Sequence, residues 1–158
     1  MAIIIAFGHR KQVGKDTSAK FLSTILKTET RGYAVKTVGF ADELKDTCYR
    51  LFSWAGMKPK EHYEEFPKDK EVPLPVVGKS PRQIWIEYGN KMREIYEPIW
   101  IEFIFRHQAQ KADILLVKDL RYPNEFDRCN VGDHTCFKIK VENSREPYVD
   151  DVADRGTI

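Results

Sequence analysis

Gly14-Lys15-Asp16-Thr17 places side by side the residue types that can hold a polyphosphate: a turn-forming glycine, a lysine, a carboxylate and a hydroxyl. They follow an apolar run, Ala2–Phe7, and a short basic stretch, Gly8-His9-Arg10-Lys11-Gln12-Val13. A phosphate-binding loop needs a strand that ends abruptly, inward-pointing backbone N–H groups, a helix N-terminus facing the anion, and a lysine for the outer phosphates. All four occur in order between Ile3 and Ala19. The spacing departs from the usual glycine, four residues, Gly-Lys-Ser/Thr, because five residues separate Gly8 from Gly14 and Asp16 stands where the hydroxyl belongs. His9 takes the first glycine's usual place. Histidine tolerates unusual backbone angles better than a β-branched residue does, which leaves Gly8 as the pliable point of the loop. Thr17 then supplies the hydroxyl one residue late, and Asp16 is left to bond a magnesium-bound water or to cap the helix. His9 and Arg10 add local positive charge. The competing reading is an ordinary strand-to-helix turn with an incidental Gly-Lys pair.

Two further constellations have chemistry to offer. On a helical wheel of about 100° per residue, Gly89 and Arg93 both fall within about 20° of Arg82. Two guanidinium groups flanking a residue without a side chain suit a phosphate or a base; alternatively, Gly89 is a point where helices cross and the arginines are surface residues. Asp119 ends an apolar strand, where open α/β sheets place their ligands. In a phosphate-loop protein such an aspartate commonly holds magnesium through water. Arg121 sits two residues on, placed to neutralise a transferring phosphoryl group, and Arg145 is a candidate lid arginine. The alternative for Asp119 is a turn cap paired with Arg121.

These residues require elements to position them. Ala2–Phe7 reads as a strand covered on both faces. A helix follows from Asp16 to Thr30 with Ala19, Leu22, Ile25 and Leu26 inward, and Tyr33–Phe40 reads as a second strand. Asp42 is a candidate cap for a helix to about Ala55, with Leu44, Cys48, Leu51 and Phe52 inward. Pro59, Pro67, Pro73 and Pro75 interrupt a charged stretch from Gly56 to Lys79, expected to be a solvated loop or a mobile flap beside a site. Ser80-Pro81 starts a helix to about Tyr96 whose core stripe is Ile84, Tyr88, Met92 and Ile95. Another helix runs from Ile99 to Gln110, and strands follow at Ile114–Val117 and His134–Val141. Strands alternating with helices predict a mostly parallel sheet with helices on both faces, formed by a single domain over residues 1–158.

Bulk composition narrows the classes. The 158 residues are 42% apolar and 12% aromatic, enough for a core. Lys and Arg number 26 against 24 Asp and Glu, a balance that argues against a DNA-coating protein. Three cysteines without a CxxC spacing fit reduced thiols in a cytoplasmic protein. No apolar stretch approaches the ~20 residues of a membrane span, and the N-terminal run is too short for a signal-peptide core. The histidines show no metal-ligand spacing. Trp54, Trp85 and Trp100 are expected in the core.

The Gly14-Lys15-Asp16-Thr17 loop after an apolar strand resembles that of the bacteriophage-type deoxynucleoside monophosphate kinases. So do Phe40-Ala41-Asp42-Glu43-Leu44-Lys45, Ser80-Pro81-Arg82-Gln83 with Gly89 downstream, and Asp119-Leu120-Arg121-Tyr122-Pro123-Asn124-Glu125. The ordered set spans the chain to about Val141. The loop is one residue longer than the family's usual form, and less sequence follows the last strand. The resemblance implies a P-loop kinase fold, ATP and Mg2+, and transfer of the γ-phosphate to a deoxynucleoside monophosphate. It implies donor contacts from Gly8, His9, Arg10, Val13, Gly14, Lys15, Asp16 and Thr17, and acceptor contacts from Asp42, Lys45, Arg82, Gly89 and Arg93. Asp16, Thr17 and Asp119 would be the metal side, and Lys15, Arg82, Asp119, Arg121 and Arg145 the catalytic set. The expected partners are small-molecule nucleotides in the cytoplasm (the host's, for a viral protein), with no stable nucleic-acid binding and no membrane, and with a homodimer allowed. Two rivals remain: a kinase acting on a hydroxymethylated base within DNA, and a nucleotide-binding accessory protein without turnover.

Overall fold

The computed structural model describes residues 2–8, 14–120, 123–132 and 134–142. Its strands are β1 (Ile3–Gly8), β2 (Val35–Val38), β3 (Ile114–Leu120) and β4 (Thr135–Lys140). Its α-helices are α1 (Lys15–Glu29), α2 (Asp42–Phe52), α3 (Lys60–Glu65), α4 (Pro81–Ile95), α5 (Ile99–Glu102) and α6 (Pro123–Arg128). The chain divides into two compact units, Met1–Phe40 with Trp100–Ile158, and Ala41–Ile99.

In the first unit the four strands form one all-parallel sheet in the order β2-β3-β1-β4. The apolar run Ile114–Val117 lies at its centre and is almost completely buried, as expected of a strand covered on both faces. Period-two alternation sorts the side chains into two cores. Ile4, Ala6, Leu115 and Val117 pack with Ile101, Ile104, Phe105 and Cys129, the layer that carries α5 and α6. Phe7, Ile114 and Leu116 pack with Ala19, and with Leu22 and Leu26 of α1, on the opposite face. Beyond α5 the helix widens into a π turn, Phe103–Gln108, and closes in a 3-10 turn, Ala109–Lys111. The widened turn keeps Ile101, Phe105 and Ala109, spaced four apart, against the same core.

The connection from β1 to β2 therefore crosses one face through α1, while those into and out of β3 cross the other. Adjacent strands whose connections leave for opposite faces define a topological switch point, here between β1 and β3, and ligands bind at such a point outside the carboxyl ends. A bulge sharpens that edge. Ala6 pairs with Val117 and Gly8 with Leu120, so Phe7 alone faces both Lys118 and Asp119.

The second unit is helical. Ser80 caps α4 through a reciprocal box: its Oγ accepts from the Gln83 backbone N–H at 3.3 Å, and the Gln83 side chain accepts from the Ser80 N–H at 2.9 Å. Pro81 occupies the first helical position, as the sequence predicts. The 56–79 segment, expected as irregular, holds α3 and a 3-10 turn, Asp69–Glu71. Met57, Tyr63 and Leu74 are buried and anchor it, and the Lys58 N–H donates to the Tyr63 hydroxyl at 2.9 Å. The proline spacing hid these anchors, which follow neither a helical nor a strand period. Several side chains expected inward are exposed instead: Ile25, Leu51, Ile95 and Trp54, the last 71% accessible. Among the described residues no helix is long and apolar enough to cross a membrane.

Candidate functional site

Gly14 sits at the N-cap of α1 with φ +95°, a left-handed conformation that favours glycine over any residue with a Cβ. A Cβ there would meet nothing within 4 Å, so the demand is conformational rather than steric. Its carbonyl accepts from the Ser18 N–H at 2.9 Å, which starts the helix and leaves the first-turn N–H groups directed out of its end. Lys15 follows in that first turn and is buried, only 6% exposed, whereas Asp16 and Thr17 are exposed. The fifteen residues of α1 give this N-terminus a developed dipole. Gly8, the last residue of β1, pairs with Leu120 of β3, and a Cβ there would meet Leu120 at ordinary contact distance. His9, Arg10 and Val13 lie outside the described residues, as do Arg121 and Arg145.

Asp119 reaches this same carboxyl edge from β3. Its Oδ1 accepts the backbone N–H of Phe40 at 2.9 Å, which fixes the carboxylate against the turn that follows β2. Gly39 makes that approach possible: a Cβ at this position would lie 3.1 Å from Asp119 Oδ2 and 3.1 Å from Lys118 Cε. Gly39 was not singled out in the sequence, because its importance depends on β2 lying beside β3. The Phe40 amide that Asp119 accepts from lies after β2, whereas the capping alternative looked to the turn that follows Asp119 in sequence. The first unit thus brings Gly8, Gly14, Lys15 and Asp119 to one edge of the sheet.

The other candidates belong to the second unit. Asp42 opens the first turn of α2 but is not its cap; Ala41 is, without a side-chain cap bond. An acidic residue in this turn still complements the helix dipole. Lys45 lies one turn on, its ammonium 5.5 Å from the centre of the Trp85 ring, which Tyr63 meets edge-on. Among the described residues the buried Trp85 Nε1 finds no hydrogen-bond partner. Arg82 is exposed and donates to Glu71 Oε1 at 2.7 Å, tying α4 to the 3-10 turn before it. Arg93 is exposed too.

Gly89 sits where α4 crosses α2: it is buried, and a Cβ there would come within 2.7 Å of Leu44 Cδ1. The geometry gives Gly89 a helix-crossing role, the alternative the wheel left open, while the arginines spaced around it stay at the surface. Any side chain at 89 acts first on packing.

Lys60 illustrates the electrostatics of this unit. Burial opposes its charge, but a 2.7 Å bond to Asp46 and the nearby Asp42 and Glu61 carboxylates outweigh that and hold its pKa above the ordinary lysine value. Among the described residues no three His, Cys, Asp or Glu side chains form a metal-ligand cluster.

No protein-family model matches the chain, and no curated protein matches it.

Proposed function

We propose that the chain is a nucleotide kinase of the P-loop type, transferring the γ-phosphate of ATP to a deoxynucleoside monophosphate to give the diphosphate. One observation carries this reading. Left-handed Gly14, buried Lys15 in the first turn of α1, and Asp119 at the end of β3 meet at the carboxyl edge of a parallel sheet, at its switch point. The resemblance of the ordered motifs to those of the bacteriophage-type kinases points the same way.

Phosphoryl transfer asks little covalent chemistry of a protein; it asks that two anions be held in line and their charge neutralised. Lys15 and the first-turn amides would hold the donor phosphates. Magnesium on a nucleotide keeps several waters and takes one or two carboxylates beside the phosphate oxygens. Asp119, with Asp16 and Thr17, is a donor set of that kind. When bound, the ion would draw off charge developing on the transferring group. Arg82 and Arg93, with Lys45 and Asp42, would hold the acceptor. Arg121 and Arg145 would add positive charge at the transferring group. This reading carries with it a cytoplasmic setting where both nucleotides are present.

The test is ADP release measured across the deoxynucleoside monophosphates, with hydroxymethylated DNA as a parallel acceptor. Turnover with at least one free monophosphate is expected. Transfer to the DNA alone would instead establish the DNA-kinase reading, and ATP binding without turnover on any acceptor would establish an accessory protein.

A further inference from the structure

Trp85 lies in the first half of α4, next to buried Ile84, and is itself half-buried. Its indole nitrogen is sealed from solvent, and among the described residues nothing accepts the hydrogen it carries. A buried tryptophan ordinarily finds an acceptor for that N–H. Trp54 does so although it is exposed: its Nε1 donates to the Leu51 carbonyl at 2.8 Å. A buried donor left without a partner is costly, and packing alone does not explain it.

A second unmet group sits on the same ring. The Lys45 ammonium lies over the Trp85 indole, 5.5 Å from its centre, while Tyr63 of α3 meets that ring edge-on at 5.2 Å. Lys45 is half-buried, yet among the described residues it forms no ion pair. Acidic side chains near it on α2 are engaged elsewhere: Asp46 bonds Lys60 at 2.7 Å, and Glu43 bonds Arg50 at 2.9 Å. Asp42, a turn earlier, adds to the field that keeps Lys60 charged. One ring thus carries an N–H without an acceptor on its rim and a cation without a bonded counter-charge over its face. Two donors set among aromatic rings suit a flat heterocycle with acceptor atoms along its edge, whereas a phosphate is better held by guanidinium groups.

We propose that Trp85 is the residue through which the helical unit reads the base of its acceptor nucleotide. The indole N–H donates to an oxygen or ring nitrogen on the base edge, and the Lys45 ammonium donates to a second acceptor atom beside it. The inference rests on the kinase reading above for the identity of the ligand as a deoxynucleoside monophosphate. Because the nitrogen is sealed in the free protein, the Tyr63 ring shifts off the indole as the base enters. The hydrogen bond missing from the free protein is made in the complex, so it contributes to binding and not to folding. A tryptophan that only fills the core would do the reverse.

The test is binding without turnover, followed by nuclear magnetic resonance of the full chain isotopically labelled at its indole nitrogens. Each deoxynucleoside monophosphate is titrated in, alongside deoxyribose phosphate, which keeps the sugar and phosphate but lacks the base. The Trp85 signal is assigned through its proximity to the Tyr63 ring. At least one monophosphate should move the Trp85 N–H signal downfield, and deoxyribose phosphate should leave it in place. Trp85→Phe keeps an aromatic ring and removes the N–H; it should weaken that monophosphate about fivefold or more and leave the affinity for deoxyribose phosphate unchanged. Lys45→Met should show the same base-dependent loss. A monophosphate that binds with the Trp85 signal unmoved, or binds Trp85→Phe as tightly as the wild type, would overturn the inference and leave the kinase reading standing. An equal shift or an equal loss with deoxyribose phosphate would also overturn it, since the base would then play no part. Failure of every monophosphate to bind would overturn the kinase reading and this inference together. The wild-type titration decides the matter whether or not either variant folds.

Discussion

Lys15 is where the proposed chemistry is most concentrated, and its burial sets what a substitution there tests. A methionine fills nearly the same volume and removes a buried charge, so Lys15→Met should fold as the wild type does. Losing a positive charge aimed at the transferring phosphate should still lower turnover by about a hundredfold or more. Asp119 carries two roles that separate by substitution. Asp119→Asn keeps an oxygen for the Phe40 N–H and should preserve the fold, but should raise the magnesium needed for half-maximal rate by about tenfold or more. Asp119→Ala leaves the Phe40 amide unpaired beside a buried ring, and should cost about 1–3 kcal/mol in urea unfolding. An unchanged magnesium titration in Asp119→Asn would move that residue to a structural role.

Two contacts between helices carry predictions of their own. Leu44 lies where any side chain at Gly89 must go, and Leu44 is itself buried. Gly89→Leu should therefore destabilise by about 1–3 kcal/mol through overpacking. Adding Leu44→Ala should recover part of that loss, a coupling that a double-mutant cycle reads directly. Glu102, at the end of α5, accepts from Arg128 of α6 at 2.7 Å, with both side chains mostly buried; Arg128 also stacks 5.0 Å from the Phe105 ring centre. The bond from Arg128 chiefly holds the Glu102 carboxyl below its ordinary pKa; burial opposes this and Arg106 assists it. A carboxylate whose folded pKa is depressed contributes stability that is fully present above its unfolded value, near 4.3, and lost as pH falls through the lower folded value. Glu102→Gln should lose about 1–2 kcal/mol at neutral pH and show a flatter decline in stability on acidification than the wild type. At this scale much was legible in the sequence. Unbroken apolar runs marked β1 and β3, and Ser80-Pro81 marked the start of α4. The bulge opposite Phe7 was not legible, because it exists only in the register between two strands distant in sequence. Nor was α6, whose six residues offer too little periodicity to stand out. Ile95 and Leu51 shared stripes with buried neighbours, but periodicity fixes a direction and not whether a partner covers it.

For the molecule as a whole, the near balance of 26 basic and 24 acidic residues argues for a compact acceptor rather than a polymer. The specificity constant should accordingly fall only shallowly with salt, as about one or two cationic contacts require, and not with the slope of about six to ten phosphate contacts. A steep slope would favour the DNA-kinase reading. The candidate site was legible to the extent that motif order and the strand-end rule placed Lys15 and Asp119 at one edge. Gly39 was hidden because only the strand order brings β2 beside β3, and the two readings of Gly89 stayed open because a wheel shows a face without showing what lies against it. The most direct test of the account is the initial rate of ADP release by wild type and Lys15→Met, measured together with magnesium and each deoxynucleoside monophosphate, with folding of both checked by circular dichroism. The account predicts acceptor-dependent turnover by the wild type and its loss by about a hundredfold or more in the folded variant. Acceptor-dependent turnover that survives undiminished in Lys15→Met, or its absence from the folded wild type with every monophosphate, would contradict it.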